Sequence, residues 1–590
     1  MHGFFNKLLR INLTNHTCTE EVIQDAVLKT YMGGKGLGTY LLLTKLKPKT
    51  DPLSPENLLI FTTGCLTGTK MFGISRYGVY TRSPLTGFYG ESYAGGDVAP
   101  MMKATGYDAF ILEGASDKPV YLDISDKGVN FKPAEHLWGW ETYKTEDKVK
   151  EEVGVKGSQA IVIGPAGENL VRFACIKNNY WRSAGRCGMG AVMGSKKVKA
   201  LVFHGSQVCP LADESGMDNF VREFIKRTKN LPAVETYQTM GTPHQVKVMN
   251  SAGAFPTRYY ATGVHPKWQD LSFDRMKEYM NPHSHGCHRC FLVCGKRTKI
   301  TQGPYAGLEI EGPEFETIGA LGGINELSTL EEVAYLNDLC DRWGIDTMTA
   351  GHMAGFAIEA KKRGKIKFDI EYGETEKIAN FLKAVTFQEG EGQIFAKGIK
   401  PASKELGLED IAIHVKGMEP ALMDPRVLKG MGLAYAVSPR GACHLRSTFY
   451  KAELAGWIDR DQIEGKAKFY IEFEDKCSIH DTLVMCRFFR DFLSFQDFAD
   501  LIKFSTGLSF DEKSIRDFAS VIVDLTRHFN LREGLTKSDD TLPKRFFDEP
   551  LDEKKSVMKR EDFDRMLREY YELRGWDENG IPKYKFVQIE

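Results

Sequence analysis

A chain of 590 residues exceeds what one hydrophobic core can organise, so about two to four domains are expected. With 42% hydrophobic and 27% charged residues, the composition excludes extended disorder, and a formal net charge of −1 argues against nucleic acid as the main partner. There is no run of about 18 apolar residues and no secretory leader, so neither a membrane span nor export is expected. Twelve cysteines, scattered as at Cys65, Cys175 and Cys340, fit a reducing, cytoplasmic setting better than a disulfide framework.

From 1 to about 210 the pattern is β-rich. Short apolar runs bounded by Gly, Pro and Asn recur at Leu58-Leu59-Ile60-Phe61, Gly78-Val79-Tyr80, Ala109-Phe110-Ile111-Leu112, Val120-Tyr121-Leu122, Ala160-Ile161-Val162-Ile163 and Ala200-Leu201-Val202-Phe203. Glycines cluster at 33–38, 87–90, 95–96 and 185–190, where a chain without side chains admits something bulky or anionic close to its backbone. Arg76, Arg182 and Arg186 stand beside these clusters, and guanidinium forks with bare amides suit phosphate oxygens. The alternative is a set of tight turns between strands. Segment 185–190 lacks the glycine spacing and the acidic partner of a dinucleotide-binding fingerprint.

From 211 onward the periodicity becomes helical. Helices are predicted over 213–229, 327–343, 347–363, 376–387, 391–405, 510–529 and 561–575, the last closed by Gly575. No internal repeat is evident, and the Gly417-Met418-Glu419-Pro420 turn marks the seam between two helical domains. Within the first of them lies Cys287-His288-Arg289-Cys290-Phe291-Leu292-Val293-Cys294. Three close thiols with a distant fourth are one way to hold a [4Fe-4S] cube, and Cys486 is the best fourth candidate. A zinc site with His285 or His288, or buried apolar thiols, remains the alternative.

Two segments share the form Asp-x-x-x-apolar-(Asp/Cys): Asp341-Arg342-Trp343-Gly344-Ile345-Asp346 and Asp481-Thr482-Leu483-Val484-Met485-Cys486. Their carboxylates and loop amides could recognise a polar heterocycle, although each also reads as a helix end with its cap. Glu311-Gly312-Pro313-Glu314-Phe315-Glu316 and Arg440-Gly441-Ala442-Cys443-His444-Leu445-Arg446 supply a glutamate and a histidine able to move protons, or else solvated charges and a core histidine.

Taken in order, these motifs resemble the tungsten-containing aldehyde ferredoxin oxidoreductases over essentially the whole chain, from Tyr31-Met32-Gly33-Gly34-Lys35-Gly36 to Leu542-Pro543-Lys544-Arg545-Phe546. The resemblance implies an α+β protein: a β-rich base domain (1–210) for a tungsten bis-pyranopterin, then two mainly α-helical domains (211–418 and 419–590). It implies Arg76 between pterin and cluster, and main-chain groups of Tyr93 and Ser183 at a Mg2+ bridging the pterin phosphates. Gly95, Arg182, Gly185 and Arg186 would hold those phosphates. Asp341, Ile345, Asp346, Asp481 and Met485 would bind the pterins from the helical side, with Arg446 and Arg487 nearby. Cys287, Cys290, Cys294 and Cys486 would carry the cluster, and Glu316 and His444 would face the tungsten.

The implied reaction is oxidation of a small aldehyde to its carboxylic acid. His444 or the metal would polarise the carbonyl, Glu316 would activate an oxygen nucleophile, and electrons would leave through the cluster to ferredoxin or a ferredoxin-like subunit. Homo- and hetero-oligomers are both compatible with it. Val484 stands where the family commonly has glycine, so a different loop backbone is expected there. Tyr93 replaces a small polar residue, and Tyr335 occupies the place of an intersubunit metal ligand, which predicts no such metal. The competing readings are a tungsten enzyme of the benzoyl-CoA reductase type and an iron–sulfur electron-transfer subunit without pterin.

Overall fold

The apolar runs of the first third become two six-stranded sheets. The computed structural model describes residues 1–551 and 556–589. The first sheet uses β1 (Lys7–Asn12), β2 (Thr17–Val22), β3 (Leu59–Thr62), β4 (Tyr77–Arg82), β5 (Tyr89–Ala94) and β6 (Ala109–Glu113), in the order β2-β1-β6-β3-β4-β5. The second uses β7 (Val120–Ser125), β8 (Gly128–Pro133), β9 (Gln159–Val162), β10 (Ile176–Asn178), β11 (Arg182–Ala184) and β12 (Val198–His204), in the order β8-β7-β12-β9-β10-β11.

The two orders are the same order. Each half opens with an antiparallel hairpin, closes with a strand parallel to its first, and carries three further antiparallel pairings in matching places. The sheet region is therefore an internal repeat, which corrects the expectation that none exists. It escapes the sequence because a strand buried on both faces, like β3, constrains polarity and not residue identity. The edge strands β5 and β11 adjoin, so the halves meet along one seam.

Most predicted helices form. The one over 213–229 is Glu214–Thr228, capped by the Asp213 carboxylate on Gly216 N–H, and the last is Arg560–Arg574, ended by left-handed Gly575. The expected single helix over 391–405 is two, Gly392–Ala396 and Ile399–Leu406, because Gly398 at φ 86° breaks the helical path. The helical region also contains an unexpected three-stranded sheet of β13 (His283–His285), β14 (Gly295–Lys299) and β15 (Glu309–Glu311). Residues Cys287 to Cys294 thus form the connection of a β-hairpin. Among the described residues no helix is long and apolar enough to cross a membrane.

Helices Leu330–Trp343 and Lys466–Thr482 each end in one Asp-x-x-x-apolar motif, and both ends close alike. Gly344 at φ 74° and Val484 at φ 55° occupy the left-handed cap position, and the next residue donates five places back, Ile345 to Cys340 O and Met485 to His480 O. The loop at Val484 therefore keeps the glycine-type backbone, with a buried β-branched residue forced into a conformation that costs about 1–2 kcal/mol. Each helix end sits on one half of the repeat. A Cβ on Gly64, just beyond β3, would lie 2.5 Å from Leu483 O, and one on Gly164, just beyond β9, 2.4 Å from Trp343 O. Asp346 N–H then bonds Phe173 O ahead of β10, and Cys486 N–H bonds Gly73 O ahead of β4.

Because backbone faces backbone at both contacts, neither neighbour can rotate away. Gly64→Ala and Gly164→Ala are each expected to destabilise the protein by about 1–3 kcal/mol, read as a lowered thermal midpoint in calorimetry.

Candidate active site

Two adjoining cavities, of about 310 and 240 Å3, lie where the sheet seam meets the two helix ends. Arg76, Tyr93, Ser183, Gly185 and Asp346 line both. The larger also receives Arg186, Glu316, His444, Arg446, Asp481, Met485, Cys486 and Arg487. Gly95, Arg182, Asp341 and Ile345 line the smaller. Residues singled out from segments up to about 400 positions apart thus converge on one space.

Each helix end presents its aspartate to a different cation set. Asp341 takes the Lys177 ammonium and 2.7 Å from Asn337 Nδ2, and burial still lifts its carboxyl to about 6. Asp481 pairs with the Arg487 guanidinium and with Arg446 Nη1 at 2.9 Å. Arg446 Nη1 also lies 2.7 Å from Glu91, a fully buried carboxylate that accepts from Tyr93 Oη at 2.7 Å. Burial opposes the charge on Glu91, but Arg446, Lys35 and Arg440 outweigh it and hold its carboxyl far below the ordinary range. On the other half Asp346 accepts from Arg186 Nε at 2.9 Å and Thr349 Oγ1 at 2.9 Å, and Arg186 Nη1 bonds Glu419 O at 2.9 Å.

Many of these polar atoms have no hydrogen-bond partner in line. Arg76 Nε, Arg182 Nη2, Arg446 Nε and Nη1, Arg487 Nε and Nη2, and Asp481 Oδ2 are all buried in this condition. The ion pairs of Arg446, Arg487 and Arg182 satisfy charge by distance while leaving these N–H directions free. Unmet buried donors on this scale are rare in protein interiors and mark a place for a polyanion. The donor set fits a phosphate-bearing group seated across the seam.

The four thiols gather beside Arg76 and Gly95. Arg76 Nη2 lies 3.6 Å from Cys486 Sγ, and a Cβ on Gly95 would lie 2.8 Å from Cys287 Sγ. Burial, with Cys486 and Cys287 nearby, pushes the Cys290 thiol up to about 12, and burial with nearby Glu314 and Cys486 pushes Cys294 up well beyond its usual value. Yet among the described residues no three His, Cys, Asp or Glu side chains converge on a single-ion position. The thiols lie near enough to act on one another's protonation.

Glu316 and His444 meet in the larger cavity, Glu316 Oε1 lying 3.4 Å from His444 Nε2. Glu316 stands on a helical turn that runs directly into the wide turn Ile318–Gly323, a form frequent at functional sites, and its Oε2 accepts from Leu422 N–H at 2.9 Å. Burial raises the Glu316 carboxyl to about 7. Burial, then Arg440, Arg186 and Arg446, depress His444 well below its ordinary value, so the imidazole is neutral near pH 7.

The sequence reading missed Glu91 and Lys177, which sit within strands and carry no motif signal, and gave no role to Lys35 although it lies inside the glycine cluster at 33–38. Tyr93, expected to act through its main chain, also uses its side chain: its hydroxyl bonds Glu91 and its ring lies 5.2 Å from the Arg446 guanidinium. Tyr335 stacks on Tyr305 with centroids 4.6 Å apart.

Family models described as the N-terminal domain and domains 2 and 3 of aldehyde ferredoxin oxidoreductase match residues 8–205 and 219–588. The chain is 36% identical to a tungsten-containing aldehyde ferredoxin oxidoreductase of Pyrococcus furiosus and 38% identical to one of Pyrococcus horikoshii, covering all of this chain and 99% of each relative. It is 30% identical, over all of this chain and 97% of the other, to the WOR-like subunit of an aliphatic sulfonate oxidoreductase of Pyrococcus furiosus. The BamBC active-site complex of benzoyl-CoA reductase shares the fold, with TM-score 0.83 and 23% identity over 98% of this chain and 96% of that one. On matches that together span nearly its whole length, the chain belongs to the aldehyde ferredoxin oxidoreductase family.

Proposed function

We propose that this protein oxidises small aldehydes to carboxylic acids at a tungsten bis-pyranopterin and passes the electrons through a [4Fe-4S] cluster to a ferredoxin or ferredoxin-like subunit in the cytoplasm. The observation that carries the proposal is the buried Glu316–His444 pair, which opens into the same cavity as the unpartnered guanidinium groups and Cys486. Identity of 36–38% to aldehyde-oxidising relatives supports this over the benzoyl-CoA reductase alternative, whose likeness is one of fold. A cluster-only carrier would have no use for the buried cations of both cavities.

The repeat suits a cofactor of two like halves, one beneath each helix end. Asp341, Ile345 and Asp346 would hold one pterin and Asp481, Met485 and Arg487 the other. Arg182 and Arg186 would meet the phosphates beside Gly95 and Gly185, and the adjoining Tyr93 and Ser183 backbones would meet a bridging Mg2+. Cys287, Cys290, Cys294 and Cys486 would ligate the cluster, with Arg76 between cluster and pterin. Once bound, the tungsten group supplies acceptance of an electron pair and the cluster its one-electron relay.

The chain's own residues manage protons and position. His444, kept neutral by burial and the nearby arginines, donates a hydrogen bond to the aldehyde oxygen without itself ionising. Glu316, with a carboxyl at about 7, is poised to take a proton from water as it adds to the carbonyl carbon. The electron exit is the β13–β14 hairpin, where Cys287 and Cys290 are only half-buried and His288, Arg289, Arg297 and Lys299 are exposed. Arg297 is paired with Glu309, and the remaining cations suit an acidic carrier.

Anaerobically purified protein is expected to hold about one tungsten and about four irons per chain, as a single cube requires, with iron falling in Cys486→Ala. Glu316→Gln should lower kcat/KM for aldehydes by about 10²–10⁴-fold at unchanged metal content. A base must be deprotonated to act, so wild-type kcat/KM should rise with pH through about 7, and that limb should vanish in the variant. Iron without tungsten or molybdenum, or a loaded enzyme inert to every aldehyde, would refute the assignment. Charge reversal at Arg289 and Lys299 should slow ferredoxin reduction and its salt dependence while leaving viologen reduction intact.

A further inference from the structure

We propose that Arg490 is a substrate-recognition residue, and that the aldehydes this site prefers carry a carboxylate at the far end of a short chain. The inference rests on the aldehyde-oxidising function proposed above and extends it to a substrate class.

Arg490 lines the same cavity as Glu316 and His444 and is 3% exposed. Its Nη1 donates to Arg487 O at 2.6 Å, but Nε and Nη2 have no hydrogen-bond partner. Among the described residues the acid paired with it is Asp491, whose Oδ1 is 3.8 Å from Nε and whose other oxygen is taken by Lys451. Tyr450, Tyr237 and Cys477 are also near it. A buried cation with two free N–H directions and a distant, shared counter-charge is only partly compensated, and a planar carboxylate would complete it in the bidentate geometry guanidinium favours.

Arg490 also stands beside a second space. The outer groove, a cavity of about 470 Å3, is lined by Tyr237, Gln245, Tyr450 and Asp491. Gln245 and Tyr450 line both cavities, and Asp491, next to Arg490 in the chain, lines the outer one. Arg490 is near enough to help depress His444, and both it and Glu316 act on Tyr450. A molecule with its aldehyde at Glu316 and His444 and its tail toward the groove would bring that tail to Arg490. Arg490, Glu316 and His444 line one cavity of about 310 Å3, which favours a short spacer.

The test compares butanal with 4-oxobutanoate, which match in length and differ in the terminal carboxylate, using viologen as acceptor and tungsten-loaded enzyme. Wild type should prefer 4-oxobutanoate in kcat/KM by about 10- to 100-fold, the range of a charge-assisted hydrogen-bonded pair, through KM rather than kcat. In Arg490→Met the preference should collapse to near unity, and Arg490→Lys should restore part of it. Calorimetric titration of succinate into the same proteins needs no turnover: saturable binding in wild type should weaken at least tenfold in Arg490→Met. No preference in wild type, equal losses on both aldehydes, or loss of tungsten from Arg490→Met, which would make Arg490 a cofactor residue, each overturn the proposal. Should wild type oxidise neither aldehyde, the catalytic assignment falls, and the succinate titration alone decides whether Arg490 binds carboxylates.

Discussion

The architecture depends on two contacts in which a helix terminus lies directly on sheet backbone. Gly64 and Gly164 leave no space for a β-carbon beneath Leu483 and Trp343, and through these contacts the helices place Asp481 and Asp341 over their own halves of the repeat. Removing side chains at the contact fixes the approach more tightly than interdigitated side chains would, because a carbonyl against a glycine has no rotamer to change. The hydrogen bonds of Cys486 to Gly73 and of Asp346 to Phe173 then settle the last residue of each motif. Cofactor geometry is thereby tied to main-chain geometry.

Onto this frame the chain loads an unusual electrostatic interior. Arg76, Arg186, Arg440, Arg446 and Arg487 crowd one region, while Glu91, Asp346, Asp481 and Glu419 answer only part of their charge. Burial of this kind opposes folding unless a polyanion completes the pairing, so cofactor binding and stability are linked in this protein. The same field sets the proton chemistry. It holds His444 neutral, while burial keeps Glu316 near the pH at which a carboxylate can both accept and release a proton.

Much of this was legible in the residues. The apolar runs at Ala109 to Leu112 and Ala200 to Phe203 became strands β6 and β12, and helix ends marked by Asp213 and Gly575 formed as caps, because these signals are local. The aspartate motifs, the cysteines and the Glu316 and His444 segments were visible for their chemistry, and the fold brings them to one place. What stayed hidden depends on partners far away in the chain. The glycines at 33–38 suggested a phosphate cradle, yet Gly34 and Gly38 face Asp481 O and the Tyr80 ring. Glu91 and Arg490 acquire meaning only from neighbours such as Arg446 and Tyr450. The duplication was invisible because topology repeats where residue identity has drifted.

The two helix ends that sit on these like halves are not alike: one motif finishes in the carboxylate of Asp346 and the other in the thiol of Cys486. A symmetric cradle has no preferred direction. With Cys486 ligating a cluster as proposed, the sulfur terminus would give the cradle a direction for electrons that the oxygen terminus does not.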